Sequence, residues 1–205
     1  MRVAVLLVVL GAIAAALGPQ LLGSSPSPAS SGAASPIEVR RSDHRDLRNG
    51  HPGALGEAGG AVPDGTTVFD DEIPGVAKLD PALLTAIRQA ATDAADAGVE
   101  FVVDSGWRSP AYQEQLLHEA VLKYGSEAEA ARWVATPNTS AHVSGDAVDI
   151  GPSGAAAWLS ENGAAYGLCQ IYANEPWHYE LRPEAIAHGC PPTYSDPTQD
   201  PRMQQ

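Results

Sequence analysis

Apolar residues recur at helical spacing through Leu83, Leu84, Ile87, Ala90, Ala91 and Ala94. Asp80-Pro81 precedes this run and Gly98 follows it. The pattern predicts an amphipathic helix with an aspartate N-cap, proline at the first helical position and a glycine stop. VEFVV (99–103) is β-branched and apolar, which predicts a buried strand. Ser109-Pro110 then opens a second helix over AYQEQLLHEAVLKY, closed by Gly125. Ser126 and Glu129 form a capping box for a third helix running to about Val134. TPNTS (136–140) reads as loop and AVDI (147–150) as a short strand. Ser153 caps a helix over GAAAWLSEN that ends at Gly163. YGLCQIY (166–172) and WHYEL (177–181) read as strands joined by ANEP. Helices and strands mix without a strict βαβ alternation. The fold class is therefore α+β, a small single domain with a short antiparallel sheet flanked by helices.

The N-terminal part lacks this pattern. Behind Met1 and Arg2 lies the apolar run VAVLLVVLGAIAAALGPQLLG. Residues 1–23 have the layout of a signal peptide, or of a membrane anchor that is never cut. Residues 24–66 are rich in Ser, Pro, Gly and Ala and read as a flexible linker, with His44 and His51 solvated. The folded domain is expected over 67–195, and residues 196–205 as a disordered tail. The chain is expected to be exported, either secreted or anchored at the outer face of the cytoplasmic membrane. Membrane contact would come only through an uncut N-terminal segment, and the domain is expected to be a monomer. In an exported chain two cysteines, Cys169 and Cys190, are expected to pair. The net charge of −13 argues against nucleic acid, whose phosphates call for a basic face.

SAHVSGDAVDIG (140–151) places His142 and Asp149 seven residues apart, a spacing that does not fit one helix face. NEPWHYE (174–180) adds His178 at the start of a strand, with Pro176 breaking any helix between it and Glu175. Two imidazoles and one carboxylate can hold a catalytic zinc and leave a coordination position open. Glu175, near such a metal but not bound to it, could take a proton from water. Gly145 and Ala147 would let the backbone turn tightly between His142 and Asp149. His118 falls on an exposed helix side and His188 lies beside Cys190; neither belongs to the set. Against the metal reading, His178 would be an ordinary strand histidine and Asp149 a turn cap.

SAHVSGDAVDIG, EPWHYE and SGWRSPAYQ (105–113) together resemble the signature of the VanY-like zinc D-alanyl-D-alanine carboxypeptidases. The likeness extends through ATPNTSAH and AAYGLCQIYANEPWHYEL, covering about 80–185. It implies one zinc per domain, bound by His142, Asp149 and His178, with Glu175 as general base. It implies that Arg108 neutralises an oxyanion or the substrate carboxylate, a task suited to a guanidinium fork. Gln113 and Ser140 would hydrogen-bond the terminal residue, and Trp107 and Trp177 would wall the cleft or pack in the core. The implied substrate is the peptidoglycan stem peptide and the implied reaction is removal of its terminal D-alanine. An L,D-carboxypeptidase or an endopeptidase on the same wall peptides is the alternative within the enzyme class. A non-catalytic, zinc-stabilised peptide-binding module is the alternative outside it. Glu175 separates these two classes, since a binding module needs no carboxylate there.

Overall fold

The computed structural model describes residues 56–204. Its helices are α1 (Pro74–Ala77), α2 (Pro81–Asp96), α3 (Pro110–Tyr124), α4 (Glu127–Ala130), α5 (Ala141–Ser144), α6 (Ser153–Asn162) and α7 (Ala185–His188). Its strands are β1 (Val102–Ser105), β2 (Ala147–Gly151), β3 (Leu168–Gln170) and β4 (His178–Leu181). The strands form one antiparallel sheet in the order β1-β2-β4-β3. This is the α+β architecture the pattern predicts. Among the described residues no helix is long and apolar enough to cross a membrane. The signal or anchor expectation for 1–23, and the linker as far as residue 55, lie outside the described residues.

The Asp80 side chain accepts from the backbone N–H groups of Ala82 and Leu83, and so caps α2. The apolar stripe of α2, Leu83, Ile87, Ala90 and Ala94, packs with Val148, Ile150 and Tyr179 of the sheet and Leu159 of α6. Burial of each large apolar side chain contributes roughly 1.5–3 kcal/mol. Tyr179, fully buried, donates its hydroxyl hydrogen to the Ala156 carbonyl at 2.7 Å, so its polar tip is satisfied.

Side chains alternate across a strand, so the register fixes what lies on the other face. Asp149 pairs with Ser105 on one side and His178 on the other. Glu180, two residues past His178, pairs with Ala147 and Cys169. An antiparallel sheet commonly leaves such a face to water. Here residues of α3, α5 and segment 194–204 cover it, and β2 is buried along its whole length.

Several elements depart from the pattern. β1 begins at Val102 rather than Val99, because the Val99 N–H closes the end of α2 on the Ala94 carbonyl. β3 is shorter than expected, and the third helix stops at Ala130 instead of reaching Val134. Its last N–H groups tighten onto carbonyls three residues back, Trp133 stacks on Tyr124, and Pro137 follows. The folded region also begins before residue 67. Gly59 is buried and its carbonyl accepts from the Ser109 N–H at 2.8 Å.

The expected disordered tail is ordered. Residues Pro197–Gln199 and Pro201–Gln204 form 3-10 turns, and Asp196 and Asp200 are buried. The segment carries no apolar periodicity. It is held by charge: Asp196 pairs with Arg132, and Arg202 with Glu180.

Cys169 of β3 and Cys190, just past α7, form a disulfide with Cα atoms 5.5 Å apart. It joins a small cluster of Ile171, Tyr172 and Ala185. The bridge joins cysteines at a sequence separation of 21, a loop size for which chain-entropy arguments give about 3 kcal/mol. Cys169→Ala/Cys190→Ala should therefore lower the unfolding free energy by about that amount. Urea titration of the oxidised parent and the double variant measures the difference. Coincident transitions would show that the bridge contributes no stability.

Candidate metal centre

His142 lies in the single turn of α5. That turn ends at Gly145, whose φ of +84° lies in the region L side chains avoid. A Cβ there would also sit 2.6 Å from the Lys78 carbonyl oxygen. This tight turn is what lets the chain pass from His142 to Asp149 of β2. Gly106 is needed for a different reason: a Cβ on it would lie 2.0 Å from the Gly75 carbonyl oxygen. The Gly106 carbonyl, so placed, accepts from His142 Nδ1 at 2.8 Å. The hydrogen of His142 is thereby on Nδ1, and Nε2 presents a lone pair.

That lone pair points at two other groups. His142 Nε2 lies 3.3 Å from His178 Nδ1 and 3.4 Å from Asp149 Oδ1. His178 Nδ1 lies 3.2 Å from Asp149 Oδ1. The other nitrogen of His178, Nε2, faces Glu180 Oε1 at 3.3 Å. One ligand atom from each of His142, Asp149 and His178 thus falls within 4.8 Å of the others, all three residues being buried. Lone pairs brought this close call for a cation between them. Two imidazoles and a carboxylate, with a carboxylate behind one ring, fit the donor set and outer support of a zinc site.

The second Asp149 oxygen, Oδ2, accepts from Arg108 Nη2 at 3.1 Å. Arg108 Nε donates to Ser105 Oγ at 2.8 Å and Nη1 to Gln113 Oε1 at 3.1 Å. Gln113 in turn donates to the Ala135 carbonyl. Burial raises the cost of charge on Asp149, but the two histidines and Arg108 hold its carboxyl well below the usual range. Burial, with the Arg108 charge beside it, lowers His142 to about 4. Burial also opposes charge on His178, yet its bonds to Asp149 and Glu180 prevail and raise it to about 10. Glu180 is buried too, and hydrogen bonds from His178 and Arg202 hold its carboxyl far below its ordinary value.

Glu175 lies at the edge of this cluster. Its Oε2 is 3.8 Å from His178 Nδ1, and its buried Oε1 has no hydrogen-bond partner. Burial pushes its carboxyl up to about 8. It lines a small cavity of about 30 Å³ with Arg108, Gln113, Ser140, His142 and His178. Ser140 begins α5 without capping it by its side chain. A groove of about 450 Å³ adjoins this cavity and shares Val134, Ala135, Pro197 and Met203 with it.

The site thus gathers His142, Asp149, His178, Glu175, Arg108, Gln113 and Ser140. Trp107 and Trp177 do not line the cavity. Trp107 is half-buried beneath the Lys78 ammonium, and Trp177 is buried. Trp133 and Tyr172 take the aromatic places. His118 and His188 are exposed and lie outside the ligand cluster, although His118 lines the adjoining groove. Glu180, Asp200, Arg202 and Met203 were not singled out from the sequence. The alternation of HYE in a strand already places Glu180 on the face of His178. Nothing in the sequence marks Arg202.

The family model for VanY, D-alanyl-D-alanine carboxypeptidase, matches residues 76–184. The chain is 37% identical over 113 residues to a D-alanyl-D-alanine carboxypeptidase of Enterococcus faecalis, a match spanning 42% of each chain. The fold is similar to that of VanYB in complex with D-alanine-D-alanine, with a TM-score of 0.50 and 30% identity. That match covers 54% of this chain and 74% of the other. The LD-carboxypeptidase LdcB shares the fold at a TM-score of 0.50 and 24% identity, covering 60% of this chain and 69% of its own.

The metal-free domain should lose stability as pH rises from about 6.5 to about 10. His178 binds its proton more tightly in the folded than in the unfolded chain. Its contribution is therefore complete below the lower value and gone above the upper. Glu175 acts in the same direction: its buried carboxylate becomes increasingly costly up to about pH 8. Melting curves in a chelator across this range test the prediction. A transition temperature that stays flat or rises would contradict it. Zinc must displace the His178 proton, so its affinity should rise over the same interval.

Proposed function

The chain belongs to the VanY D-alanyl-D-alanine carboxypeptidase family, and on that premise we propose that it is an exported, zinc-dependent carboxypeptidase removing a terminal D-alanine from peptidoglycan stem peptides. The observation that carries this reading is the buried Glu175 Oε1, which has no hydrogen-bond partner, beside the three converging ligands in a cavity lined by Arg108. A site built only to bind would gain nothing from a buried carboxylate oxygen left without a hydrogen bond, which is costly.

His142, Asp149 and His178 would hold the zinc, which when bound supplies Lewis acidity toward water and a peptide carbonyl. Glu175 accepts a proton from the attacking water and passes it to the leaving amine. Its raised proton affinity suits both halves of that transfer near neutral pH. Arg108 uses one hydrogen on each terminal nitrogen for Gln113 and Asp149, leaving the others for a substrate carboxylate. Its second task is to fix the plane of Asp149. Gln113 and Ser140 supply further polar contacts to the terminal residue. The small cavity marks where the terminal residue would meet Arg108 and the ligands, and the adjoining groove leaves room for the rest of the peptide. The curated relative is matched over less than half its length, so substrate and reaction rest on the site itself.

Mass spectrometry of defined pentapeptide and tetrapeptide muropeptides after incubation with the zinc-loaded protein tests the reading. Loss of one alanine from the pentapeptide alone is expected. Cleavage of the tetrapeptide instead would assign the L,D reaction.

Glu175→Gln keeps size and polarity but cannot accept the proton. It should retain zinc and lose at least about a hundredfold in kcat. Zinc content and single-turnover cleavage on one preparation check this, and a zinc-replete variant at parental rate would remove Glu175 from the mechanism. A free terminal carboxylate should also be required. Amidating the substrate's C-terminus should abolish cleavage, and Arg108→Lys, which loses the fork, should slow it sharply. Equal rates on free and amidated peptides would point to an endopeptidase.

A further inference from the structure

Segment 194–204 lies beyond the part of the chain that the family model matches, yet it reaches the back of the metal centre. Tyr194 bonds through its backbone to Ile171 and Ala173, beside the loop that leads to Glu175. Arg132 on that side of the cleft pairs with Asp196 at 3.1 Å.

Two arms then run from the segment to His178. In the first, Arg202 donates Nη1 to Glu180 Oε2 at 2.7 Å and Nη2 to Oε1 at 3.1 Å. This bidentate fork fixes the plane of a carboxylate that is 1% exposed. The same Oε1 faces His178 Nε2 at 3.3 Å. Arg182, which lies outside the segment, pairs with the same Oε2 at 2.6 Å. In the second arm, Asp200 accepts from the Tyr172 hydroxyl at 3.1 Å. The Tyr172 ring lies against His178, with centroids 5.1 Å apart. Arg202 also bonds Asp200, so the two arms share one anchor. His178 is thus held at its outer nitrogen and on its ring. Its inner nitrogen, Nδ1, is the one aimed at Asp149 and His142.

We infer that segment 196–204 is a positioning clamp on the metal ligand His178, with Arg202 acting through Glu180 and Asp200 acting through Tyr172. The inference rests on His178 being a ligand, as the proposed function requires. Carboxylates that hold a metal-bound histidine commonly change metal affinity by about 10–100-fold when lost. Removing Arg202 leaves Glu180 in place with Arg182 on Oε2 alone, so its plane is held less firmly and its charge is less compensated.

The test uses the full chain with zinc alone as probe. Zinc affinity is measured by competition with a chromogenic chelator. The visible spectrum of the cobalt-loaded protein reports ligand geometry. Circular dichroism establishes that each metal-free variant is folded. Arg202→Ala should weaken zinc binding about 10–100-fold and shift the cobalt bands. Arg202→Lys, which keeps a charge but not the fork, should lie between it and the parent. A folded Arg202→Ala protein with parental zinc affinity and parental cobalt bands would overturn the clamp, even if its melting temperature fell. Should Arg202→Ala fail to fold, Arg202→Lys decides, since parental affinity and bands there overturn the inference equally. A parent chain that binds no zinc would instead strike the metal reading and the proposed function with it.

Discussion

Asp149 holds the site together because its two oxygens serve different masters. Oδ2 is pinned by Arg108, while Oδ1 faces both histidines. A carboxylate this deeply buried would be costly alone. It is tolerable because a guanidinium lies on one side and the other side is built for positive charge. The sheet register enforces the arrangement, since Asp149 stands directly between Ser105 and His178. A one-residue slip of β2 would turn Asp149 into the apolar core and Val148 or Ile150 toward the ligands. The packing of Val148 against Tyr179 therefore protects the chemistry on the opposite face as well as the core.

The polar face of the sheet works as a second core, built from charge. Glu180, Arg182, Arg202, Asp200 and Tyr172 form a connected set behind His178, while Arg108, Ser105 and Gln113 form another behind Asp149. Such networks are costly when half satisfied and rigid when complete. The exception is Glu175, whose Oε1 lacks a partner at the one point where a reacting group must enter. In the proposed reaction, strongly supported ligands beside a less supported carboxyl separate the residues that must stay still from the one that would exchange protons.

Much of this was legible in the chain. The α2 stripe, the caps at Asp80 and Ser109, and the strands at AVDI and WHYEL follow from local periodicity and stop signals. The clustering of His142, Asp149 and His178, with Glu175 at its edge, was legible from two short motifs, because histidines are few and the tight Gly145 turn sets the spacing of His142 and Asp149. The missed features share a cause. Segment 196–204 has neither apolar period nor helix-length run, and its order comes from ion pairs with Arg132 and Glu180, 64 and 22 residues away. Pairings at that separation leave no local trace. The choice between cleft wall and core packing for Trp107 and Trp177 stayed open for a related reason: which tryptophan faces a cleft depends on how loops pack, and it is Trp133, beyond the end of its helix at Ala130, that lines the cavity.

The disulfide has a topological consequence. Glu175 and His178 both lie inside the covalent ring that Cys169 and Cys190 close. A protease that cuts the backbone once between those cysteines opens the ring without releasing either piece. The fragment carrying His178 stays tethered to β3 and beside its partners in the sheet. A single nick in this loop is then damage the molecule can carry while remaining in one piece.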